Sequence, residues 1–489
     1  LEPRCDVLVV GAGLTGLCTA VLLARAGRVP LVLEAKRAGS GTTGHSSAKV
    51  SLLQGSMLQR LRRHAGAETV AAYVEANRLG QHWLLGVLDA RGVSYERRPA
   101  ITYAVTAAGA RAVATERAAS LEAGLEVTPV PADALPFAVE NGIALADQAQ
   151  IDPLAGVEAL TRELLDAGGR LVEGVRVNGV SMTAPWTVTT TAGEVIAEHV
   201  VLATQVPILD RTLHVARLTA NRSYVLAYAA DGKAVPTAMA LSLDDPARSA
   251  RTAHGLDGGV LLVGGNGHPV GRGSAAEHVR ELDAWARETF EVGAPQWSWS
   301  AQDYRLTTQV PSIGPIPGTK GGLLVATGCD KWGMANAAAA GHILTGDITG
   351  NPPSFVPALR SGLPGVADVV DSAITIAGIG MSWVGARAAL AVGGGRVGGG
   401  KVAGGNPQTP AHGKGHVEGG PVHPVGVATV DGKTCRVSAV CPHLGGILAW
   451  ERRRDVVGLP FARFAIRGRW PSCRGSGDQR PDRPRRLPR

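Results

Sequence analysis

Apolar positions along this 489-residue chain fall into distinct patterns, each predicting a different element. Val7 to Val10 is an unbroken apolar run, the mark of a strand covered on both faces. Leu14 to Ala26 is apolar and alanine-rich and reads as a helix lying on that strand. Pro30 to Leu33 is a second buried strand, and it ends in Glu34. From Leu58 to Leu88 apolar residues recur at three- and four-residue spacing, which predicts a largely helical segment. Ser223 to Tyr228 and Gly259 to Val263 carry strand patterns instead.

Chemistry enters at the junction of the first strand and helix. Gly11, Gly13 and Gly16 follow the strand directly, in the order Gly-Ala-Gly-Leu-Thr-Gly. The first glycine permits a tight turn, the second lets the backbone approach a pyrophosphate, and the third allows close helix–strand packing. Phosphates then sit on the free N–H groups that open the helix, at Leu14 and Thr15. Glu34, with Ala35 after it, lies where a carboxylate can accept hydrogen bonds from a ribose. Together these predict a dinucleotide site. The competing reading is a glycine-rich turn that holds no ligand.

The next segment separates FAD from NAD. Residues 39–50 form a small polar loop containing Thr42, Thr43, Gly44, His45 and Ser47. Such a loop can wrap the ribityl and pyrophosphate of a longer dinucleotide, whereas NAD-binding domains usually enter another helix here. At this point the chain resembles the FAD-dependent oxidoreductases of the D-amino-acid oxidase and sarcosine oxidase type. The segment 174–180 around Val177 resembles the strand that meets the adenine in that family. The end of the run 199–204, at Ala203 and Thr204, resembles its second, ATG-like strand end. Gly322 to Gly328, followed by Cys329-Asp-Lys-Trp-Gly333-Met334, resembles the closing motif, whose helix (here Met334 to Leu344) points at the flavin pyrimidine ring. Residues 299–304 and 310–315 also match the family, running along the flavin. The resemblance covers residues 5 to 355 and implies that Gly328, Gly333 and Met334 contact FAD. It leaves Lys331 and Trp332 as candidate catalytic residues, against an exposed lysine and a packed tryptophan. Tyr224, Tyr228 and Tyr304 are pocket candidates, although a tyrosine in such a strand is more often simply core, and His45 either approaches the ring or caps its own loop. No residue reads as an obligatory acid or base.

Composition supports a large core, with 45% hydrophobic and 18% charged residues. Three charges within the first six residues argue against a signal peptide. The best membrane candidate, Ser372 to Ala386, is about fifteen residues and too short to span. Six cysteines (Cys5, Cys18, Cys329, Cys435, Cys441, Cys473) show no framework spacing, which suits a reducing cytoplasm.

Charge changes the picture at the C-terminus. Residues 451–489 hold twelve arginines, four acids and no lysine, so this tail carries the chain's whole formal net charge of +8. Just before it, Cys441-Pro-His443 resembles the first half of a Rieske iron–sulfur site, which needs two thiolates and two imidazoles. No histidine follows His443, and only Cys473 follows among cysteines, so the ligand set is incomplete. Read one base out of register, codons for residues 457–464 can encode a second Cys and His loop about fifteen residues after His443. A single extra base after Trp450 would account for this, and for arginine without lysine. A natural basic tail binding nucleic acid is the alternative; its aromatics are confined to Phe461, Phe464 and Trp470.

The expected architecture is α/β, a FAD-binding Rossmann-like domain interleaved with a mixed-sheet α+β substrate domain, plus a small incomplete all-β Rieske-like C-terminal domain. The oxidoreductase part is expected over residues 1–365, with FAD pieces near 1–60, 150–210 and 315–355 and substrate pieces near 61–150 and 211–314. A helix and Gly/Pro/His-rich linker follow over 366–424, then the Rieske-like half over 425–450, and the out-of-frame tail over 451–489. The expected activity is removal of a hydride from an amine or amino-acid C–N bond, with electrons originally passed to a [2Fe-2S] centre held in part by Cys441 and His443. A small-molecule amine or amino-acid substrate and an electron-acceptor protein are the expected partners, in the cytoplasm, with no nucleic acid and no membrane. Rival readings are a flavoprotein acting on a hydroxy acid or polyol, and a non-catalytic FAD-binding product of a damaged gene.

Overall fold

The structure is a computed structural model. It describes residues 2–360 except 132, 209–216, 231–233, 256–257 and 271–273; beyond 360 it describes 396–397, 410–411, 414–419, 422–430, 433–440, 449–451 and 456–458. The chain divides into two compact units, one formed by residues 1–269 with 273–376 and the other mainly by residues 377–489.

In chain order the first unit begins with β1 (Arg4–Val10), α1 (Leu14–Arg25), β2 (Pro30–Glu34), β3 (Lys49–Val50), α2 (Met57–Ala90), β4 (Glu96–Ala104) and α3 (Ala107–Glu122). It continues with β5 (Thr128–Pro129), β6 (Asn141–Gln150), α4 (Pro153–Asp166), β7 (Arg170–Glu173), β8 (Val177–Val180), β9 (Trp186–Thr190) and β10 (Gly193–Leu202). Then come β11 (Leu218–Ala229), β12 (Met239–Ser242), β13 (Arg248–Gly255), β14 (Gly258–Pro269), α5 (Ala275–Phe290), β15 (Trp297–Leu306), β16 (Ser312–Pro315), β17 (Leu323–Thr327), α6 (Gly333–Thr349) and α7 (Val356–Arg360).

One sheet runs β16-β17-β10-β1-β2-β7, with β9 and β8 added along β10. Its β17, β10, β1, β2 and β7 are parallel, so the C-terminal ends of β1, β2, β10 and β17 lie along one edge. The unbroken apolar run of β1 has its reason here. Val7 and Val9 pack against α1, α2 and α6, while Leu8 and Val10 pack against the β8–β9–β10 side. The second sheet runs β15-β11-β14-β13-β12-β4-β6-β3 and is antiparallel except where β12 pairs β4. The interleaving of a mainly parallel sheet with a mixed one is the architecture expected from the sequence.

The predicted helix at Leu58 to Leu88 is present as α2, broken at Gly66, whose φ of 84° is non-helical and bends the chain. Farther along α2, Gly80 lets the helix approach α6 closely: a Cβ there would lie 2.4 Å from the Ala335 carbonyl oxygen. The same contact is sealed by a buried polar network. The Tyr73 hydroxyl donates to Gln54 Oε1 at 2.6 Å and accepts from Asn336 Nδ2 at 2.8 Å. Gln54 in turn donates to Asn77 Oδ1 at 3.2 Å. Burial raises the Tyr73 hydroxyl above its usual range and keeps it neutral.

In the second unit, β18 (Arg396–Val397), β19 (Lys414–Glu418), β20 (Val425–Val430) and β21 (Lys433–Ser438) form an antiparallel sheet, and β22 (Ala449–Glu451) pairs β23 (Val456–Gly458). Two of these strands fall within the stretch expected as linker. Glu418 pairs with His416 on its own strand and with Arg436 of β21. Cys435 is disulfide-bonded, while Cys5, Cys18 and Cys329 are free thiols. Cys441, His443 and Ser372 to Ala386 lie outside the described residues, as does most of the tail. Among the described residues no helix is long and apolar enough to cross a membrane.

Tyr73→Phe tests the α2–α6 seal. Losing the hydroxyl leaves Gln54 Oε1 and an Asn336 N–H unpaired in the core, at a cost of about 1–3 kcal/mol. Urea denaturation is expected to show a lower midpoint at unchanged slope.

Candidate active site

The glycine turn is built by steric necessity. Gly11 has φ of +104°, donates its N–H to the Leu33 carbonyl at 2.8 Å, and has the Ala203 carbonyl oxygen 2.8 Å from where a Cβ would stand. A Cβ on Gly16 would lie 1.9 Å from the Gly11 oxygen, so α1 can cross over the strand end only with glycine there. Gly13 is the N-terminal cap of α1 and uses no side chain to satisfy the helix N–H groups. Leu14 N–H reaches Thr43 Oγ1 at 3.1 Å, which folds the polar loop over the helix start, and Thr15 follows in the first turn.

Glu34 sits at the end of β2 as expected. Its Oε2 accepts from Ala12 N–H at 2.9 Å and its Oε1 from Lys36 N–H at 2.8 Å. A carboxylate has four lone-pair sites, so each oxygen can still accept a hydroxyl. The Glu34 carbonyl receives Val175 N–H at 2.9 Å, bringing the start of β8 and the buried Val177 beside it. Ala35 follows, half-buried.

The loop is tied down at several points. Thr42 Oγ1 lies 2.8 Å from the Gln302 carbonyl and 3.0 Å from Gln205 Oε1. Gly44 donates to the Gly39 carbonyl at 2.8 Å. The His45 question resolves toward capping. Its Nδ1 faces the Gly41 carbonyl at 2.8 Å, and a carbonyl only accepts, so this nitrogen carries the proton. Ser47 offers its carbonyl to Arg251 Nε at 2.6 Å.

Thr204 and Gln205 follow Ala203 at the end of β10, and Gln205, with φ of 66°, accepts a hydrogen bond from Thr327 at the end of β17. After β17, Gly328 has φ of +85° and the next turn holds two non-glycine residues at positive φ, Asp330 at 42° and Lys331 at 73°. Such residues cost on the order of 1–3 kcal/mol each and persist only when their surroundings hold them. Here Arg60 does so, donating to Asp330 Oδ2 at 2.6 Å and to Gln309 Oε1 at 3.0 Å. Asp330 N–H adds a bond to the Tyr304 carbonyl at 3.1 Å. The turn delivers Gly333 and the buried Met334 to the start of α6. Lys331 is exposed, and Trp332 caps α6 with its ring against the α2–α3 core. Tyr224 and Tyr228 belong to the core beneath α5, while Tyr304 is half-buried on β15.

Three charged residues that were not among the candidates read from the sequence lie in or beside these elements. Lys49, at the start of β3, loses solvation and faces the cations of Arg251 and Lys331, which brings its amine down to about 7. Arg251 on β13 is lowered to about 10, by burial above all. Asp303 on β15 is raised to about 7 by burial; Lys331 and Arg305 oppose that rise and Asp330 adds to it. Burial of a charge is a property of packing, and no spacing in the sequence announces it. Elsewhere, Asp6, Glu198 and His199 come together beside β1, but Arg28 already pairs with Asp6.

The family model for FAD dependent oxidoreductases matches residues 6–346. The chain belongs to that family. A Bacillus subtilis (strain 168) protein provisionally named the Rieske 2Fe-2S iron-sulfur protein YhfW is 29% identical over 349 residues, 70% of this chain and 68% of its own. Among solved structures, L-proline dehydrogenase from P. horikoshii has 16% identity and a TM-score of 0.61, covering 73% of this chain and 96% of its own. Glycine oxidase from Geobacillus kaustophilus has 18% identity and a TM-score of 0.61, covering 72% and 97%. This FAD-dependent oxidoreductase therefore has the family's fold over its first unit, and FAD is its cofactor.

Lys49→Met is expected to stabilise the flavin-free protein in a pH-dependent way. The unfolded lysine titrates at its ordinary 10.5 and the folded one at about 7, so between them the unfolded chain binds more protons and wild-type stability rises with pH. The variant's advantage is therefore full below about pH 7 and fades towards pH 10.5. Thermal unfolding of both proteins across that range checks it.

Proposed function

We propose that the protein is an FAD-dependent amine or amino-acid oxidoreductase. The amides at the α1 start, from Gly13 to Thr15, receive the pyrophosphate, with the Thr42–Ser47 loop closing over it. Glu34 takes the adenosine ribose, the backbone at Val177 takes the adenine, and Gly11, Gly16, Ala35, Ala203, Thr204 and Gly328 line the cleft. The α6 start at Gly333 and Met334 lies at the flavin ring. A positive helix end there favours negative charge on reduced flavin. FAD, when bound, supplies the two-electron acceptor. The fit rests on the glycine turn, which leaves no room for a Cβ, and on the spare lone pairs of Glu34.

The observation that carries the amino-acid reading is the cationic lining of Lys49, Arg251 and Lys331, the charge complement of a substrate carboxylate. Related folds named glycine oxidase, L-proline dehydrogenase and L-amino acid deaminase support it. Lys331 orients the substrate in this reading, and Trp332 walls the pocket.

The name of the Bacillus subtilis relative supports a Rieske-type origin for the C-terminal segment. This chain supplies Cys441 and His443 but no later histidine, so its residues do not fit a complete cluster and no electron step runs through one. A frameshift after Trp450 remains our account of the missing pair. Independent reads of the gene around codon 450 that offer no alternative frame would overturn it.

Anaerobic mixing of the flavin-loaded protein with amines, amino acids and hydroxy acids tests the function. Amines or amino acids are expected to bleach the flavin absorbance. Bleaching by hydroxy acids alone would replace the reading with its rival, and bleaching by none would remove it. Glu34→Ala is expected to weaken FAD binding about 10- to 100-fold, read by titrating flavin-free protein.

A further inference from the structure

A strong physical anomaly on the cleft-facing side of the second sheet is Asp303. It is 7% exposed, and its Oδ2 is buried without a hydrogen-bond partner. A buried carboxylate oxygen left unpaired is costly, so a purely structural role would be expected to supply a donor. Among the described residues Asp303 forms no ion pair within 4.0 Å, although Lys331 and Arg305 act on it electrostatically and its own backbone N–H favours the charged form.

The sheet geometry shows where this carboxyl lies. Side chains alternate along β15, so Trp299, Ala301 and Asp303 share one face. Trp299 Nε1 donates to the His45 carbonyl at 2.9 Å, so that face looks onto the polar loop. On the neighbouring strand β11, Asn221 lies opposite Asp303 and Ser223 opposite Ala301. The β11–β14 ladder is irregular between Arg222 and Tyr224, and this irregularity brings Gly267 beside Ser223. A Cβ on Gly267 would stand 2.8 Å from Lys331 Nζ and 3.2 Å from Ser223 Oγ. The absence of a side chain on Gly267 thus lets the Lys331 amine lie against the sheet, and the same amine acts electrostatically on Asp303.

We propose that Asp303 is the proton acceptor for the substrate's ammonium group. The proposal rests on the amine reading and adds a base that the sequence did not reveal. An aliphatic amine has a pKa near that of lysine, roughly 10, and arrives protonated. Its nitrogen lone pair is then unavailable. An N–H bond of the ammonium breaks, and the proton passes to a carboxylate oxygen of Asp303. With the lone pair freed to close the C=N bond, the α C–H bond can break, and FAD, when bound, would supply the two-electron acceptor that takes this hydrogen with its electron pair as a hydride. Lys331, Lys49 and Arg251 help the first step, because cations disfavour a second ammonium among them.

The groups facing Asp303 set its working range. Lys331 and Asp330 come from the closing turn, with Asp330 held by Arg60 of α2, and Arg305 comes from its own strand. The buried Arg222 lies on β11, one residue from Asn221. Burial dominates and places the carboxyl at about 7, where a base suits neutral pH.

The experiment compares wild type, Asp303→Asn and Asp303→Glu in the flavin-loaded enzyme, following the rate of flavin bleaching by an amine substrate against pH. Wild type is expected to rise through about pH 7. Asp303→Asn is expected to fall about 10²- to 10⁴-fold at neutral pH and to recover tenfold per pH unit towards the substrate's own ammonium pKa. Asp303→Glu restores the neutral limb in part. Unchanged limbs in all three proteins would overturn the proposal while leaving the amine reading intact. Absence of bleaching of wild type by any amine would overturn both. A second readout needs no flavin. Because the folded carboxyl titrates above its ordinary 3.8, wild type loses stability relative to Asp303→Asn as pH rises from about 4 to about 7 and holds that deficit above. A stability difference that is flat across this range would show that Asp303 is not an unpaired titrating carboxyl and would likewise overturn the proposal.

Discussion

The close crossing of α1 over the end of β1 is the constraint on which the rest of this molecule hangs. Gly16 stands against the Gly11 carbonyl with no room for a side chain, and Gly11 itself adopts a left-handed conformation against Ala203. β1 is central in its sheet, hydrogen-bonded to β2 and β10. Fixing its last residue therefore fixes the ends of both neighbours. Glu34, Ala203 and the start of α1 converge because a single turn brings them there. A β-branched or even an alanine residue at position 16 would force the helix away and disperse all three.

The opposite wall of the cleft is held by a different kind of interaction. The turn after β17 carries two non-glycine residues at positive φ, and such backbone relaxes unless pinned. Arg60 pins it through Asp330, and the Tyr73–Gln54–Asn77–Asn336 network pins the helix that follows. Both anchors reach from α2 or the segment just before it, with Gln54 and Arg60 at the end of the stretch expected as an FAD piece and Tyr73 and Asn77 in the first piece expected for the substrate half. The substrate half thus also positions the start of α6. This division of labour explains why two interleaved sheets make one cleft.

Charge in the cleft follows from packing. Lys49, Arg251, Lys331 and Asp303 come from β3, β13, the closing turn and β15, distant in sequence and adjacent only once both sheets are formed. Lys49, Arg251 and Asp303 are perturbed chiefly by loss of solvent. An amine near 7 at Lys49 and a carboxyl near 7 at Asp303, each acted on by Lys331, describe a site in which proton positions are finely balanced.

The amino-acid sequence by itself determined the nucleotide half of this protein. The apolar run of Val7 to Val10, the three glycines, the terminal Glu34 and the order of the later motifs are local signals, because each reflects steric limits on a few consecutive residues. They were enough to reach the α/β architecture, the interleaving and FAD. Only the tertiary structure decided the chemistry of the substrate half. Trp332 proved to pack against the core, His45 to cap its own loop, and Tyr224 and Tyr228 to lie beneath α5. Asp303 lies in the stretch 299–304 that resembles the family, but only its burial made it a candidate base. The physical reason is desolvation: a carboxyl's surroundings depend on residues brought from every part of the chain, and no window of sequence contains them.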